Sequence, residues 1–345
     1  MALLEVSNLT INLQTHRGRA QAVRDVSFTL ERGATLGLIG ESGCGKSLTA
    51  LALMSLLPDH AQVDGSIRLD GQELLDMSER KLCALRGNRM AMVFQEPMSA
   101  LNPLHSIGRQ VADPLRLHLG LSRSQARSRA IELLERVGIA QAAQRLDDYP
   151  HQFSGGQRQR IMIAMALACG PDLLVADEPT TALDVTVQQR ILDLLQELVA
   201  EHSMALVLIS HDLGVIAQNV EQLLVMYGGT VVESGMTEAV FAQRSHPYTR
   251  GLFAARPQLN AGNADAPLPT IAGTVPELVD LPAGCPFAGR CSFTQSNCYT
   301  ERPQPRMLNI PSPAGPASLA SWRQPHQVRC LHIQALKTPT EGASL

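Results

Sequence analysis

The chain has 345 residues, 45% of them hydrophobic and 18% charged, with a net charge of −3. That is ample apolar material for a buried core and excludes a disordered chain; at roughly 100–200 residues per domain, the length implies two domains or one with an appendage. The near-neutral balance and the few aromatic residues (one Trp, four Tyr, seven Phe) argue against a dedicated nucleic-acid binder, which needs a basic face or base-stacking platforms. No run approaches the ~20 apolar residues of a transmembrane helix, and the N-terminal MALLEVSNLT lacks the basic-then-apolar order of a secretory signal. The cytoplasm is the expected location, with any membrane attachment made through partners.

In chain order, the first informative element is the short apolar run Leu36–Gly40, the length of a buried strand. Gly40-Glu41-Ser42-Gly43-Cys44-Gly45-Lys46-Ser47 follows, and Leu48–Leu57 reads as a helix. This is G-x-x-x-x-G-K-S in the strand–loop–helix setting of a phosphate-binding loop. Its glycines let successive backbone N–H groups, up to that of Leu48, point at phosphate oxygens, with the helix N-terminus adding positive dipole. Lys46 is placed for the β- and γ-phosphates and the Ser47 hydroxyl for Mg²⁺. Further on, Ser122–Val137 carries Ala126, Ala130, Leu133 and Leu134 at helical spacing.

Ser154-Gly155-Gly156-Gln157 opens another apolar-periodic helix (Ile161, Ala164, Met165, Ala168). A Ser and two glycines at a helix start expose a second set of N–H donors suited to an anion. One chain needs a single γ-phosphate cradle, so this second set is expected to cap a nucleotide held by another subunit. Leu173–Ala176 is an apolar strand ending in Asp177-Glu178. Asp177 is the expected water-mediated Mg²⁺ holder and Glu178 the group that polarises the attacking water. The strand Met204–Ile209 precedes His211. From Pro257 onward Pro and Gly become frequent and periodic patterns short, which puts a boundary near residue 256 and a loop-rich unit beyond it.

That unit holds Cys285, Cys291, Cys298 and Cys330, spaced C-x5-C-x6-C-x31-C. A late set of four cysteines in a reducing compartment reads as a metal site. The set lacks the tight C-x2-C pairs of a zinc ribbon and suits a 4Fe–4S cluster, one thiolate per iron. Zinc, with His326 or His332 beside Cys330, and unligated buried thiols are the alternatives.

In these motifs the chain resembles the ATP-binding subunits of ABC transporters. Phe153-Ser154-Gly155-Gly156-Gln157 matches the family's signature, Gln95 its Q-loop glutamine, Thr181-Ala182-Leu183-Asp184 its D-loop and His211 its switch histidine. The resemblance covers about residues 1–256. It implies an α/β P-loop NTPase core with a mixed sheet, a helical subdomain at about 96–160 that docks the membrane subunit, and a small Cys-containing extension over 257–345. It further implies ATP and Mg²⁺ as cofactors. Gly40 to Leu48 would hold one nucleotide, and Ser154, Gly155, Gly156, Gln157 and Asp184 of the other subunit would cover it. Ser47, Gln95 and Asp177 stand around Mg²⁺; Glu178, His211 and Gln95 form the catalytic group. Leu13 stands where the family usually carries an adenine-stacking aromatic, with His16 or Val23 as the other base contacts.

Gln95-Glu96-Pro97-Met98-Ser99-Ala100-Leu101-Asn102-Pro103, Tyr149-Pro150-His151-Gln152 and His246-Pro247-Tyr248-Thr249-Arg250-Gly251-Leu252 look like the importer branch for dipeptides, oligopeptides and nickel. In that branch the C-terminal extension carries a cysteine set, with cluster binding in some members. The resemblance implies a second, homologous ATPase subunit, two integral membrane permeases, and a periplasmic or extracellular substrate-binding protein. The chain would then sit on the cytoplasmic face of the inner membrane, with no nucleic-acid partner. Peptide import is the expected function; a nickel or metal-chelate importer is the alternative, and a soluble ABC ATPase acting on DNA or ribosomes a more distant one.

Overall fold

The computed structural model describes residues 2–96, 100–180, 183–256, 270–308 and 325–333. Pro97, Met98 and Ser99 of the Q-loop segment and Thr181 and Ala182 of the D-loop lie outside them.

The strands are β1 (Ala2–Thr15), β2 (Gly18–Glu31), β3 (Thr35–Ile39), β4 (Gln62–Leu69), β5 (Gln72–Glu73), β6 (Met90–Val93), β7 (Leu173–Asp177), β8 (Ala205–Ile209), β9 (Gln222–Tyr227), β10 (Thr230–Met236), β11 (Arg306–Met307) and β12 (Gln327–Val328). They form two sheets. An antiparallel sheet has the order β2-β1-β4-β5, and a larger mixed sheet runs β11-β12-β10-β9-β3-β8-β7-β6. In the larger sheet β6, β7, β8, β3 and β9 are parallel.

Parallel strands covered on both faces are apolar at successive positions, because each face must be buried. β7 shows this directly. Leu174 and Ala176 face a core shared with the helices, whereas Leu173 and Val175 face a second core shared with the antiparallel sheet. β2, by contrast, alternates: Val26, Phe28 and Leu30 are buried, and Ser27 and Thr29 are exposed. That period of two marks a strand with one face on the core.

The helices Ile107–Leu119 and Arg123–Arg136 lie between β6 and the helix Gly155–Leu167. Ser122 caps the second of them through a reciprocal box with Gln125, and Ala126, Ala130, Leu133 and Leu134 form its buried face. The expected apolar stripe is therefore present. The helix after the phosphate loop begins earlier and ends sooner than its apolar pattern implied, at Lys46–Leu53. Among the described residues no helix is long and apolar enough to cross a membrane.

Among the described residues beyond 270 the regular structure is limited to short 3₁₀ turns and two-residue strands, yet this part is attached at several points. β12 pairs antiparallel with β10, through Glu233 opposite Val328 and Ser234 opposite Gln327, and β11 pairs with β12. The turn Leu278–Asp280 packs against β2.

Candidate nucleotide site

β3 ends at Ile39 in the middle of the larger sheet, and the loop 40–45 carries the chain into the helix Lys46–Leu53. The loop turns through three positive-φ glycines, Gly40 (+149°), Gly43 (+79°) and Gly45 (+97°). Gly40 is confined sterically as well, since a Cβ there would be driven into the Met226 carbonyl oxygen and lie 2.7 Å from Cys44 Sγ. Lys46 is buried and curls across the loop, donating to the carbonyls of Gly40 (2.7 Å) and Glu41 (3.0 Å). Ser42, Gly43 and Ser47 are exposed; Cys44 is buried, and Leu48 is half-buried against the core. Burial pushes the Cys44 thiol up, which leaves it a packing residue.

Parallel β7 brings Asp177 alongside this loop. Its carboxyl is buried and has the Ser47 hydroxyl as a partner, while Oδ1 has none. Burial, with repulsion from Glu178, raises its pKa against the lowering pull of Ser47 and Lys46. A buried carboxylate with one orphaned oxygen beside a hydroxyl is a fitting pair of ligands for a hard divalent cation.

The next residue, Glu178, has φ +49°, a left-handed conformation that a non-glycine residue adopts at some cost. Its N–H is held by the Ile209 carbonyl at 3.0 Å. This turn aims the side chain at two residues from other strand ends. Gln95 Nε2 donates to Glu178 Oε2 at 3.1 Å, and His211 Nδ1 lies 3.4 Å from the same oxygen. Gln95, Asp177, Glu178 and His211 thus converge where β6, β7 and β8 end, next to Lys46 and Ser47.

Ser154, Gly155, Gly156 and Gln157 stand apart from that group. Ser154 Oγ accepts from Gln157 N–H at 3.3 Å, and Gln157 Oε1 accepts from Ser154 N–H at 3.0 Å. Ser154 and Gly155 are exposed, and a Cβ on Gly155 would meet nothing within 4 Å. Asp184 caps the helix Val185–His202 by accepting from Val187 N–H at 3.0 Å. The residue after it, Val185, is 83% exposed, an open apolar side chain beside the cap.

Of the expected base contacts, Leu13 is half-buried and His16 is exposed at the β1–β2 turn. Val23 is a correction. It is fully buried beneath the loop, where a Cβ on Gly45 would approach its Cγ2 to 3.2 Å, so it is closed to a base.

Three further residues carry contacts that the sequence did not single out. Tyr248 Oη accepts from the Glu41 N–H at 2.7 Å, Arg290 forms a two-pronged pair with the Glu41 carboxylate, and Arg17 at the β1–β2 turn pairs with Glu277 and Asp280. Tyr248 belongs to the His-Pro-Tyr segment, the one available signal. Arg290 and Arg17 had none, because their partners are hundreds of residues away.

Cys285, Cys291, Cys298 and Cys330 line one pocket together with Phe287, Phe293 and His332. Burial pushes Cys285 up to about 12, and burial likewise raises Cys291 and Cys330. Among the described residues no group of three or more His, Cys, Asp or Glu forms a site that could hold a metal ion. The zinc alternative loses one of its two histidines. His326 is buried in a 2.8 Å contact with Glu233, and His332 bonds the Asn297 side chain at 3.0 Å.

Comparison with known proteins agrees with this arrangement. Residues 23–181 match the ABC transporter family, and residues 232–298 match the oligopeptide/dipeptide transporter C-terminal region. A protein of Brucella abortus named for peptide import and ATP binding is 51% identical over 306 residues, covering 88% of this chain and 91% of that one. The oligopeptide transport ATP-binding protein OppD of Haemophilus influenzae is 48% identical over 296 residues, 86% of this chain and 91% of its own. A solved dimer of an ATP-binding cassette in its post-hydrolysis state, bound to ADP and Pi, superposes with a TM-score of 0.62 at 27% identity, covering 68% of this chain and 98% of that one. The chain belongs to the ABC transporter family, among the ATP-binding subunits that carry the oligopeptide/dipeptide transporter C-terminal region.

Proposed function

We propose that this chain hydrolyses ATP to power a peptide importer, working as one half of a closing pair of ATPase subunits. The observation that carries the reading is the convergence of Gln95 and His211 on the Glu178 carboxylate, beside the orphaned oxygen of Asp177. Lys46 exchanges the Gly40 and Glu41 carbonyls for the β- and γ-phosphates. Ser47 and Asp177, with Gln95 near, would hold Mg²⁺, which would supply positive charge against the phosphoryl oxygens. Glu178 polarises the water and His211 reaches the γ-phosphate. Ser154 to Gln157, with Ser154 and Gly155 open to solvent and helix N–H groups leading, cover the nucleotide of the other subunit together with Asp184. ATP then favours the closed pair because only that state completes its contacts.

In this reading residues 1–256 are the cassette, 96–160 its helical subdomain facing the membrane, and 257–345 an extension. The partners are a homologous second ATPase, two permeases that hold the chain at the cytoplasmic face of the inner membrane, and an external peptide-binding protein. The names of the relatives support peptides as the cargo. Glu178→Gln tests the catalytic assignment: turnover is expected to fall at least 100-fold with ATP binding intact. Hydrolysis near the wild-type rate would remove Glu178 from its role. Peptide uptake by vesicles holding the permeases, both ATPases and binding protein tests the cargo, and nickel uptake in place of peptide would reverse it.

The four thiols are further read as ligands for a 4Fe–4S cluster, a reading that requires them to draw together from positions where no three of them form a metal-holding group. The donor chemistry supports this: the backbone N–H two residues on points at three of the sulfurs, from Phe287 to Cys285, from Phe293 to Cys291 (3.4 Å) and from His332 to Cys330. Such N–H donors stabilise the thiolate form that a cluster requires. Protein purified without oxygen should be brown with about four irons per chain. A colourless, iron-free preparation would overturn it.

A further inference from the structure

Glu41 is an unexpected residue in a loop built to receive a polyphosphate, since its carboxylate carries the ligand's own sign of charge. Each of its polar groups is tied down. The N–H goes to Tyr248 Oη, the carbonyl takes Lys46 Nζ, and the carboxylate takes Arg290 through two bonds, Nη1 to Oε2 at 2.7 Å and Nη2 to Oε1 at 3.1 Å. Arg290 lies 249 residues away in the C-terminal extension, and its side chain is only 6% exposed. Its remaining donors are spent on the carbonyls of Ala272 (2.9 Å), Ile271 and Gly273 (both 3.4 Å) and on Tyr227 Oη (3.4 Å). The guanidinium therefore has one orientation, with its fork on Glu41. That two-pronged match to a carboxylate is a geometry lysine cannot supply.

We propose that Arg290 is a positioning residue for nucleotide binding: it holds Glu41 and cancels the negative charge that the phosphate loop would otherwise present to ATP. The proposal rests on the reading of residues 40–48 as the ATP site and adds to it a part supplied by the extension. Without Arg290, a partly buried carboxylate in the loop repels the polyphosphate at short range, where screening is weak. Without both residues, the repulsion is gone along with the clamp.

The test uses the full chain with Glu178→Gln as a non-hydrolysing parent, and measures the Kd for Mg·ATP by equilibrium binding, with Tm for each variant. Arg290→Met is expected to weaken ATP binding about tenfold. Adding Glu41→Gln to Arg290→Met should restore the Kd to within about threefold of the parent, a rescue that general damage to the extension would not show. Glu41→Gln alone removes the negative charge and leaves the Arg290 cation beside the loop, so Mg·ATP should bind about threefold more tightly than in the parent, and this arm stands even if Arg290→Met fails to fold. Unchanged affinity in Arg290→Met, no recovery in the double variant, or a tenfold loss in Glu41→Gln alone would each overturn the proposal. Failure of the parent itself to bind Mg·ATP would instead strike the ATP-site reading.

Discussion

His211 Nδ1 stands 3.4 Å from Glu178 Oε2, joining the end of β8 to the end of β7. The histidine is 65% exposed and the glutamate 15%, so the imidazole is the solvent-open member and the carboxylate the enclosed one. In the reading proposed above, the carboxylate is the base and the imidazole the donor that meets the γ-phosphate. His211→Ala is therefore expected to lower kcat on the order of 100-fold, within the range for a proton-handling or charge-stabilising group, with the ATP Kd held within about threefold. Steady-state hydrolysis and equilibrium binding on the same preparation separate the two effects.

Gly40 predicts a steric failure. Its φ of +149° and the Met226 carbonyl on its Cβ side leave no room for alanine. Gly40→Ala should abolish ATP binding, because the loop can accept a Cβ only by moving off β9. Gly43→Ala meets no atom within 4 Å and carries only the strain of its φ of +79°, a cost of about 1–2 kcal/mol. Comparing the ATP affinity of the two variants checks the distinction; equal losses would contradict it.

His246 predicts how stability responds to acid. Burial holds its pKa down to about 4, although Glu233 and a hydrogen bond to the Arg329 backbone pull the other way. Its Nδ1 accepts from the Tyr248 N–H at 3.1 Å, so the ring serves as a neutral cap for the helix Pro247–Ala254. The unfolded chain takes up the proton near pH 6.5 and the folded chain only near 4. The contribution is therefore complete above about 6.5 and is lost as pH falls from there through 4, up to roughly 3 kcal/mol. Urea unfolding of wild type and His246→Asn, which keeps a capping side chain, should show a flatter pH dependence in the variant across that window.

Ser122 predicts a local effect. It closes a reciprocal cap with Gln125 at the start of the helix Arg123–Arg136, far along the chain from the phosphate loop. Ser122→Ala should cost about 1 kcal/mol of stability and leave the ATP Kd unchanged. Denaturant unfolding and nucleotide binding measure the two quantities separately.

The residues proposed to handle phosphate were readable from the sequence because each sits in a short contiguous pattern: Gly40–Ser47 between strand and helix, Asp177-Glu178 at the end of an apolar strand, Ser154–Gln157 at a helix start. Parallel pairing then carries the first two patterns to the same end of the larger sheet's strands, which follows from the strand–helix alternation, while Ser154–Gln157 stays apart from them. The distant ion pairs were not readable. Arg290 reaches Glu41, and Arg17 reaches Glu277 and Asp280, across 249, 260 and 263 residues. No periodicity or local spacing links such pairs; only the folded path of the extension does. His326 shows the converse error, since nearness to Cys330 in sequence pointed to a metal while the fold turns its ring to Glu233.

β12 has a consequence for how the chain stays soluble. It occupies the open side of β10, and without it Val231 to Ser234 would offer unpaired N–H and C=O groups at a sheet margin, a template for joining another chain edge to edge. Among the described residues, Gln327 and Val328 do this covering, reinforced by the Arg329 N–H to Val232 carbonyl bond at 2.9 Å and the pairing of β11 outside. The C-terminal segment thus acts as a selvedge on the catalytic sheet. A chain that lost it to proteolysis would keep its ATP motifs and gain a sticky border, so its first symptom would be aggregation rather than a change in chemistry.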